Sequence, residues 1–248
     1  DKKNGKKTYE LQTEFKLTND VDTLSIDETW TVKDGEQMHV LARLGTTPIQ
    51  YLEFIYGGGK RTSHTADGNK GEHLSAEFME PFFHFRSFAS MAKAMITAKM
   101  IPDRIFAKKS YIRGKDLSTF QPEPESFLHL ARTQGIVAFG LGSAEMDNPE
   151  DHSPALWIEQ DSFLIRKIRF ATGLEILADN YAAYPNDLRY PQIRTISHDG
   201  IKGIVTIKSI KPGSENSPVF QTNRLVKRPP LNLNSTQAQF VNFYLRLR

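Results

Sequence analysis

Apolar and polar residues alternate along most of this chain. The segment TYELQTEFKL places Leu11 and Phe15 on one parity and charged residues on the other, a pattern that predicts a strand with one buried face. LSIDETWTV repeats the pattern, and the Asp34-Gly35 pair that follows it predicts a hairpin into QMHVLARL. About ten such strands, joined mostly by tight turns, predict a mainly β fold, an antiparallel meander that must curl or be covered to hide its edges.

Four other segments complete the predicted elements. PALWIEQDSFLIRKIRF predicts a hairpin that turns at Asp161-Ser162, and SPVFQTNRL is interpreted as a late strand of the meander. The polar stretch from Lys60 to Glu77 predicts a weak strand or a loop. FVNFYLRL alternates in the same way and is interpreted as a strand, with a helix capped by Ser235 as the rival interpretation.

The alternation stops between Pro81 and Met100, where the spacing of apolar residues becomes helical. At the helical repeat, the apolar residues cover an arc of about 200 degrees, whereas a helix lying on a sheet needs only about 100 degrees. These apolar residues are Phe82, Phe85, Phe88, Ala89, Met91, Ala92, Met95 and Ile96. The surplus apolar surface must be buried by something, either other loops or a guest in a cavity.

Two interpretations of this helical stretch stay open. It is either ordinary core, or a lid that walls a cavity whose second wall is the concave sheet. Methionine favours the second interpretation, since its flexible side chain recurs on surfaces that accept varied apolar partners. The same alternatives apply to four aromatic residues on strands. The candidate cavity and lid residues are therefore Trp30, Phe54, Tyr56, Phe82, Phe85, Phe88, Met91, Ala92, Met95, Ile96 and Trp157.

Composition narrows the class of protein. The 248 residues are 39% hydrophobic and 25% charged, with no linker between halves of different composition, which favours one folded domain over residues 1–248. The net charge of +3 is small and dispersed, so nucleic acid is not an expected partner. The exception is the lysine-rich start DKKNGKK, which we interpret as a flexible solvated tail, with contact to an anionic membrane surface as the alternative.

The residue types exclude several chemistries. The chain has no cysteine, which excludes disulfides, thiolate zinc sites and cysteine nucleophiles. The seven histidines show no spacing typical of a zinc site on one helix. No metal or cofactor is therefore expected. A start at Asp1 is compatible with a removed signal peptide or with a shortened chain, and we favour the signal peptide.

Short catalytic motifs are present but isolated. Ser90 and Lys93 have the Ser-x-x-Lys spacing of penicillin-recognising serine enzymes, without the Lys-Thr-Gly that accompanies it. Consecutive residues around His152 include the types of a catalytic triad, but neighbours in a polar loop do not face one another as a triad requires. The glycines before Lys60 lack the spacing of a phosphate loop and are interpreted as a turn. We therefore expect a protein that is not an enzyme.

The second half of the chain resembles a known family. The hairpin that opens at Pro154, the strand containing Tyr181, the strand that opens at Tyr190-Pro191 and the closing VTIKSI resemble the LolA-like periplasmic lipoprotein carriers and outer-membrane lipoprotein-sorting proteins. The resemblance covers roughly the last 100 residues. It implies a curved antiparallel half-barrel with a helical lid over an apolar cavity. No cavity arginine of the carriers is aligned to a position of this chain.

The resemblance also implies a function. We expect a periplasmic carrier that shelters the acyl chains of a lipid or lipoprotein, exchanges them with inner- or outer-membrane transport components, and acts as a monomer. Whether a missing N-terminal segment bears a membrane anchor stays open. The alternatives are a sensor or protein-interaction module on the same fold and, third, a hydrolase. An acyl-chain probe distinguishes them, since only the carrier is expected to bind it.

Overall fold

The computed structural model describes residues 8–65, 68–84, 88–102, 128–142, 152–185 and 188–248. Within these ranges the chain forms thirteen strands. They are β1 (Thr8–Thr18), β2 (Thr23–Lys33), β3 (Gln37–Leu44), β4 (Gln50–Gly57), β5 (Lys60–Thr65), β6 (Gly68–His73), β7 (Leu128–Thr133), β8 (Ile136–Gly142), β9 (Ala155–Glu159), β10 (Ile165–Arg169), β11 (Glu175–Tyr184), β12 (Leu188–His198) and β13 (Ile201–Pro212). The helices are α1 (Glu80–His84), α2 (Phe88–Thr97) and α3 (Ser235–Leu247).

The strands form one open sheet in the order β6-β5-β4-β3-β2-β1-β13-β12-β11-β10-β9-β8-β7. The mainly β prediction is confirmed, but the expected number of about ten strands is too low. The chain divides into two compact units: unit 1 comprises residues 1–91 and 178–248, and unit 2 comprises residues 92–177. Unit 1 carries the sheet edge β6, and unit 2 carries the sheet edge β7. The interpretation of residues 1–248 as one domain stays a prediction, and the basic tail 1–7 lies outside the described residues.

The predicted hairpins form where their turn residues lie. Asp34 and Gly35 have φ angles of 57° and 74° and reverse the chain between β2 and β3, since both residue types tolerate the left-handed region that this turn requires. β9 and β10 pair around the turn predicted at Asp161-Ser162. The stretch that starts at Lys60 forms the short hairpin β5–β6. The two predicted turns are therefore confirmed, and the stretch from Lys60 forms strands, one of the two alternatives predicted for it.

The C-terminal segment is a helix, so its interpretation as a strand is wrong. Asn234, rather than Ser235, caps α3: its side chain accepts a hydrogen bond from the Gln237 backbone N–H at 2.8 Å, and the Gln237 side chain bonds back to the Asn234 backbone. Such a reciprocal capping box starts a helix efficiently. The buried residues also follow a helical period; they are Phe240, Val241, Phe243, Tyr244 and Leu247.

Two further expectations are corrected. SPVFQTNRL forms two 3-10 helices, Pro218–Phe220 and Thr222–Arg224, rather than a strand; the proline at the start of the first 3-10 helix has no backbone N–H for a strand ladder. The stretch predicted as one helix between Pro81 and Met100 contains two helices among its described residues, α1 and α2. The curvature of the sheet and the role of these helices as a lid stay predictions.

Each unit buries one side of its strands. In unit 1, β1 to β3 alternate between buried and exposed residues, and α1 and α3 pack on the buried side. That side, called the buried face below, carries both aromatic and charged residues. In unit 2, small residues surround one large aromatic residue in a core cluster of Ala131, Ala138, Ala155 and Trp157.

Candidate ligand-binding site

A row of stacked rings lies on the buried face of unit 1. The Trp30 and Tyr56 rings are stacked with centroids 5.8 Å apart, and the Tyr56 and Phe78 rings are stacked at 4.9 Å. Phe54 packs on Tyr56 at 6.3 Å in a tilted arrangement. We call Trp30, Phe54, Tyr56 and Phe78 the aromatic row. Three predicted site residues therefore lie together, and all members are at most 5% exposed, so they form core in this structure.

Helix α1 lies on the same face and is wholly buried. All five of its residues, including the predicted Phe82, are inaccessible to solvent or nearly so. The neighbouring Phe83 ring lies 6.2 Å from the ring of Tyr190 on β12. A five-residue helix is too short to be stable by itself. The position of α1 therefore depends on the side chains that hold it to the sheet.

The strongest of these contacts are ionic. Glu80 on α1 accepts a hydrogen bond from Arg194 Nη1 on β12 at 2.9 Å, and the same Glu80 oxygen, Oε1, accepts one from Arg248 Nη1. Arg248 also donates from Nε and Nη2 to the two oxygens of Glu28 on β2, at 2.7 and 2.9 Å. We call Glu28, Glu80, Arg194 and Arg248 the ionic cluster. All four side chains are 1% exposed or less.

Four further side chains extend the ionic cluster. His84 Nε2 lies 2.8 Å from Glu80 Oε2, and His84 Nδ1 lies 2.6 Å from the Tyr9 hydroxyl. The Tyr244 hydroxyl on α3 donates to Glu28 at 2.8 Å. Thr13 donates to the second oxygen of Glu28 at 2.7 Å. Each carboxylate of the cluster thus has several donors, as a buried charge requires.

The cluster fixes the charge of its members. Burial favours the neutral form of Glu80, but Arg194, Arg248 and His84 outweigh burial and hold the pKa of the Glu80 carboxyl well below its usual range. Burial likewise favours neutral Arg248, but Glu28 and Glu80 raise the pKa of its guanidinium. Glu80 and Arg248 are therefore both ionised at neutral pH.

Helix α2 differs from α1 in its burial. Ala92 and Met95 are buried, whereas Met91 and Ile96 are only half-buried, although all four are apolar. In unit 1, Ser90 Oγ donates to Glu36 at 2.7 Å, and this hydrogen bond is exposed to solvent. The apolar arc predicted from the sequence is thus only partly covered on this helix.

Three predicted site residues remain, Trp157, Phe85 and Phe88. Trp157 lies in unit 2 and is 1% exposed, with Lys167 Nζ 4.9 Å and the Arg169 guanidinium 5.1 Å from its ring centroid; such cation–π contacts are typical of a structural tryptophan. Phe85 lies outside the described residues. The backbone of Phe88 begins α2, and its side chain lies outside the description.

Unit 1 also contains a cavity of about 520 Å³ away from the predicted site. It lies between α3 and the β1–β2 and β12–β13 turns, where Asn19, His198 and Arg246 contribute to its lining. Arg246 is already engaged, donating to both oxygens of Glu77 at 2.7 and 2.8 Å. None of the eleven predicted site residues lines this cavity.

The ionic cluster was missed by the sequence analysis, although part of it left a signal. Glu28 has the same parity as Ile26 and Trp30, and Thr13 has the same parity as Leu11 and Phe15, so both lie on the buried side of their strands. A charged residue on a buried parity indicates a buried ion pair. Glu80 and Arg248 lie outside any strand pattern and left no such signal.

Within the described part of the chain, no three His, Asp or Glu side chains approach closely enough to hold a metal ion. No helix in the same residues has the length and apolar character needed to cross a membrane.

Comparison with known proteins gives similarity of fold at low sequence identity. No protein-family model and no curated protein matches the chain. A putative outer membrane lipoprotein-sorting protein domain from Vibrio parahaemolyticus is 11% identical, covers 88% of this chain and 91% of its own, and has a TM-score of 0.49. A DUF1329 family protein from Desulfovibrio piger is 10% identical, covers 90% of this chain and 93% of its own, and also has a TM-score of 0.49.

A third structure, the MucA/MucB complex of Pseudomonas aeruginosa, is 10% identical, covers 84% of this chain and 94% of its own, and has a TM-score of 0.22. With TM-scores below 0.5, these similarities carry no argument about what this chain does.

Proposed function

We propose that the protein is a non-enzymatic carrier of the bacterial periplasm that shelters acyl chains of a lipid or lipoprotein for transport toward the outer membrane. The guest would lie against α2 and the apolar residues near it, with Met91, Ala92, Met95 and Ile96 as its contacts. The protein would act as a monomer. It would receive the guest from membrane transport components and deliver it to others.

The observation that carries the proposal is the uncovered apolar side of α2. Met91 and Ile96 stay half-buried while Ala92 and Met95 are buried on the same helix. A partly exposed Met-rich helix is typical of a surface that accommodates flexible apolar partners. An acyl chain would bury the half-exposed side chains and so gain apolar contact.

The physical need for a carrier is large. Each methylene exposed to water costs about 0.8 kcal/mol, so a tail of about fifteen methylenes faces a penalty of about 10 kcal/mol. The carrier must also release the guest. If α2 packs on its neighbours when empty and on the acyl chain when loaded, the two states have similar energies. Competition between the two packings would then set the affinity.

The two helices would have different roles: α1 would stay fixed and α2 would move. Glu80 ties α1 to the sheet through two buried arginines, and separating such ions from their partners costs several kcal/mol. The Ser90–Glu36 hydrogen bond near the start of α2 is exposed, so water replaces it at little cost. We therefore place the movement that admits a guest at α2, while α1 stays fixed to the sheet of unit 1.

Displacement of a fluorescent fatty acid tests the proposal. The Met95→Gln variant keeps the side-chain length but introduces an amide at a buried position, so we expect probe affinity to fall about tenfold. Lys93 is exposed on the polar strip of the same helix, and the matched control Lys93→Gln should stay within about twofold of wild type. A wild-type protein that ignores the probe, or two variants that behave alike, would overturn the carrier proposal.

A second candidate, a protein-interaction or sensor module, has one observation in its favour. On β7 of unit 2, Leu130 is 69% exposed and Leu128 is 48% exposed, and Phe163 at the β9–β10 turn is 73% exposed. Exposed apolar residues of this kind occur at protein-binding surfaces. Under this alternative, Leu130→Glu should abolish capture of a protein partner, and the wild-type protein should not bind acyl probes.

A further inference from the structure

Three arginines of unit 1 present the same edge, formed by Nε and Nη2, to their surroundings. Arg248 donates from this edge to both oxygens of Glu28, at 2.7 and 2.9 Å. Arg246 donates from it to both oxygens of Glu77, at 2.7 and 2.8 Å. This side-on, bidentate pairing is the geometry in which a guanidinium binds a carboxylate or phosphate most strongly.

The third arginine leaves that edge open. Arg194 is 0% exposed, and it donates from Nη1 to Glu80. Among the residues that the structure describes, its Nε and Nη2 donors have no hydrogen-bond acceptor. A buried donor without an acceptor is destabilising, and more so when the group is charged. The open edge of Arg194 is therefore an energetic cost that an anionic ligand would remove.

The guanidinium of Arg194 is held in a fixed plane. Its carbon lies 4.8 Å from the ring centroid of Phe83 and 5.6 Å from that of Tyr190. Rings near the guanidinium restrict its rotation and keep the direction of its donors constant. Preorganised donors in a dry site bind an anion better than donors that must first be oriented.

The charges nearby leave room for an anion at this arginine. Arg194 has no carboxylate of its own, because its acceptor, Glu80 Oε1, also accepts from Arg248. His84 places its two ring nitrogens 2.8 Å from a Glu80 oxygen and 2.6 Å from the Tyr9 hydroxyl. Both neighbours can accept a hydrogen bond, so the His84 ring leaves the donors of Arg194 unused.

We propose that the Nε and Nη2 edge of Arg194 binds the anionic headgroup, a carboxylate or a phosphate, of the acyl-chain ligand. The inference rests on the proposed carrier function and makes it more specific: the preferred guest is an anionic amphiphile rather than a neutral lipid. Arg194 selects the headgroup.

Calorimetric titration with two probes of equal chain length tests this selection. Palmitate carries the carboxylate and hexadecanol is neutral. Wild-type protein should bind palmitate about tenfold more tightly. In Arg194→Lys, which keeps the positive charge but loses the bidentate edge, palmitate affinity should fall about tenfold while hexadecanol affinity stays within about twofold. Arg43→Lys, at a half-exposed arginine paired with Asp27, is the matched control and should change neither affinity.

Two further probes separate the sources of the anion. Hexadecyl phosphate should bind like palmitate if the site takes either headgroup, whereas inorganic phosphate, which has no tail, should bind far more weakly. Inorganic phosphate binding as tightly as hexadecyl phosphate would overturn the headgroup inference in favour of a free-anion site. Equal binding of palmitate and hexadecanol by the wild-type protein would overturn it while the carrier proposal stands. Binding of neither probe would overturn both.

A measurement on the wild-type protein tests the inference even if the Arg194→Lys variant does not fold. Palmitate labelled with ¹³C at its carboxyl group reports ionisation through its NMR shift. Paired with Arg194, the carboxylate should stay ionised at pH values where the carboxyl group of vesicle-bound palmitate has taken up a proton. A bound signal that titrates like the vesicle-bound reference would contradict the inference.

Discussion

The two helices between β6 and β7 are held by different forces. Every residue of α1 is buried, and Glu80 ties it to Arg194 and Arg248. On α2, by contrast, Met91 is half-buried, and the hydrogen bond that Ser90 donates to Glu36 is exposed. Within one helical stretch, α1 is therefore anchored by buried ion pairs, whereas the start of α2 is held by a contact that water can replace.

Removing the arginine shared by both carboxylates should have the largest effect. Arg248→Met leaves Glu28 and Glu80 buried with fewer partners, and we expect the free energy of unfolding to fall by about 3–5 kcal/mol. Urea denaturation measures the change. Arg43→Met removes a half-exposed guanidinium paired with Asp27, and this control should change stability by no more than about 0.5 kcal/mol. Equal effects of the two substitutions would contradict a buried ionic anchor.

The anchor should also give stability a dependence on pH. The pKa of Glu80 is lowered in the folded protein from an ordinary value of 4.5, so its contribution is complete above that pH and is lost as the pH falls toward the folded-state pKa. Glu80→Gln should cost about 2–3 kcal/mol at neutral pH and less in acid. Unfolding measured between about pH 3 and 7 checks this. A constant difference across this range would contradict the assignment.

Removing a tyrosine hydroxyl should affect stability differently at the ionic cluster and in the aromatic row. Tyr244 donates a hydrogen bond to Glu28 at 2.8 Å, so Tyr244→Phe should destabilise by about 1–2 kcal/mol. Within the described part of the chain, the buried hydroxyl of Tyr56 has no hydrogen-bond partner, so Tyr56→Phe should be neutral or stabilising by up to about 1 kcal/mol. Thermal unfolding of both variants measures these changes in stability. The reverse order of stabilities would refute this account of the buried face.

The smallest expected effect on stability is at α2. Ser90→Ala removes the hydrogen bond to Glu36 and should cost no more than about 0.5 kcal/mol. Its consequence should be local: hydrogen exchange of α2 amides should accelerate while α1 amides exchange as in the wild type, since the two helices open with different free energies. Exchange that rises equally in both helices would show that they move as one body.

The alternation of residues predicted much of the fold, because one-sided burial determines which residues a strand can carry. β1 and the β2–β3 hairpin form at the positions predicted from Leu11, Phe15 and Asp34-Gly35. The pattern failed at α3, since Val241, Phe243 and Leu247 fit an alternating strand and a helix about equally well. The Asn234 capping box was the local signal that favoured the helix.

The candidate site was harder to predict, for a different physical reason. Trp30, Tyr56 and Phe82 were predicted as apolar wall residues, and they lie buried in unit 1. The ionic cluster brings together residues far apart in the sequence, such as Glu28 and Arg248. Which distant charges pair across a sheet depends on the tertiary arrangement, and a pattern of local spacing contains no such information.

Native mass spectrometry of protein purified without detergent tests the carrier function most directly. The account predicts a species heavier than the bare chain by the mass of an acyl lipid, and this adduct should be lost in the Met95→Gln variant but kept in Lys93→Gln. A bare chain that also fails to take up added palmitate would contradict the central claim that this fold shelters a hydrocarbon tail.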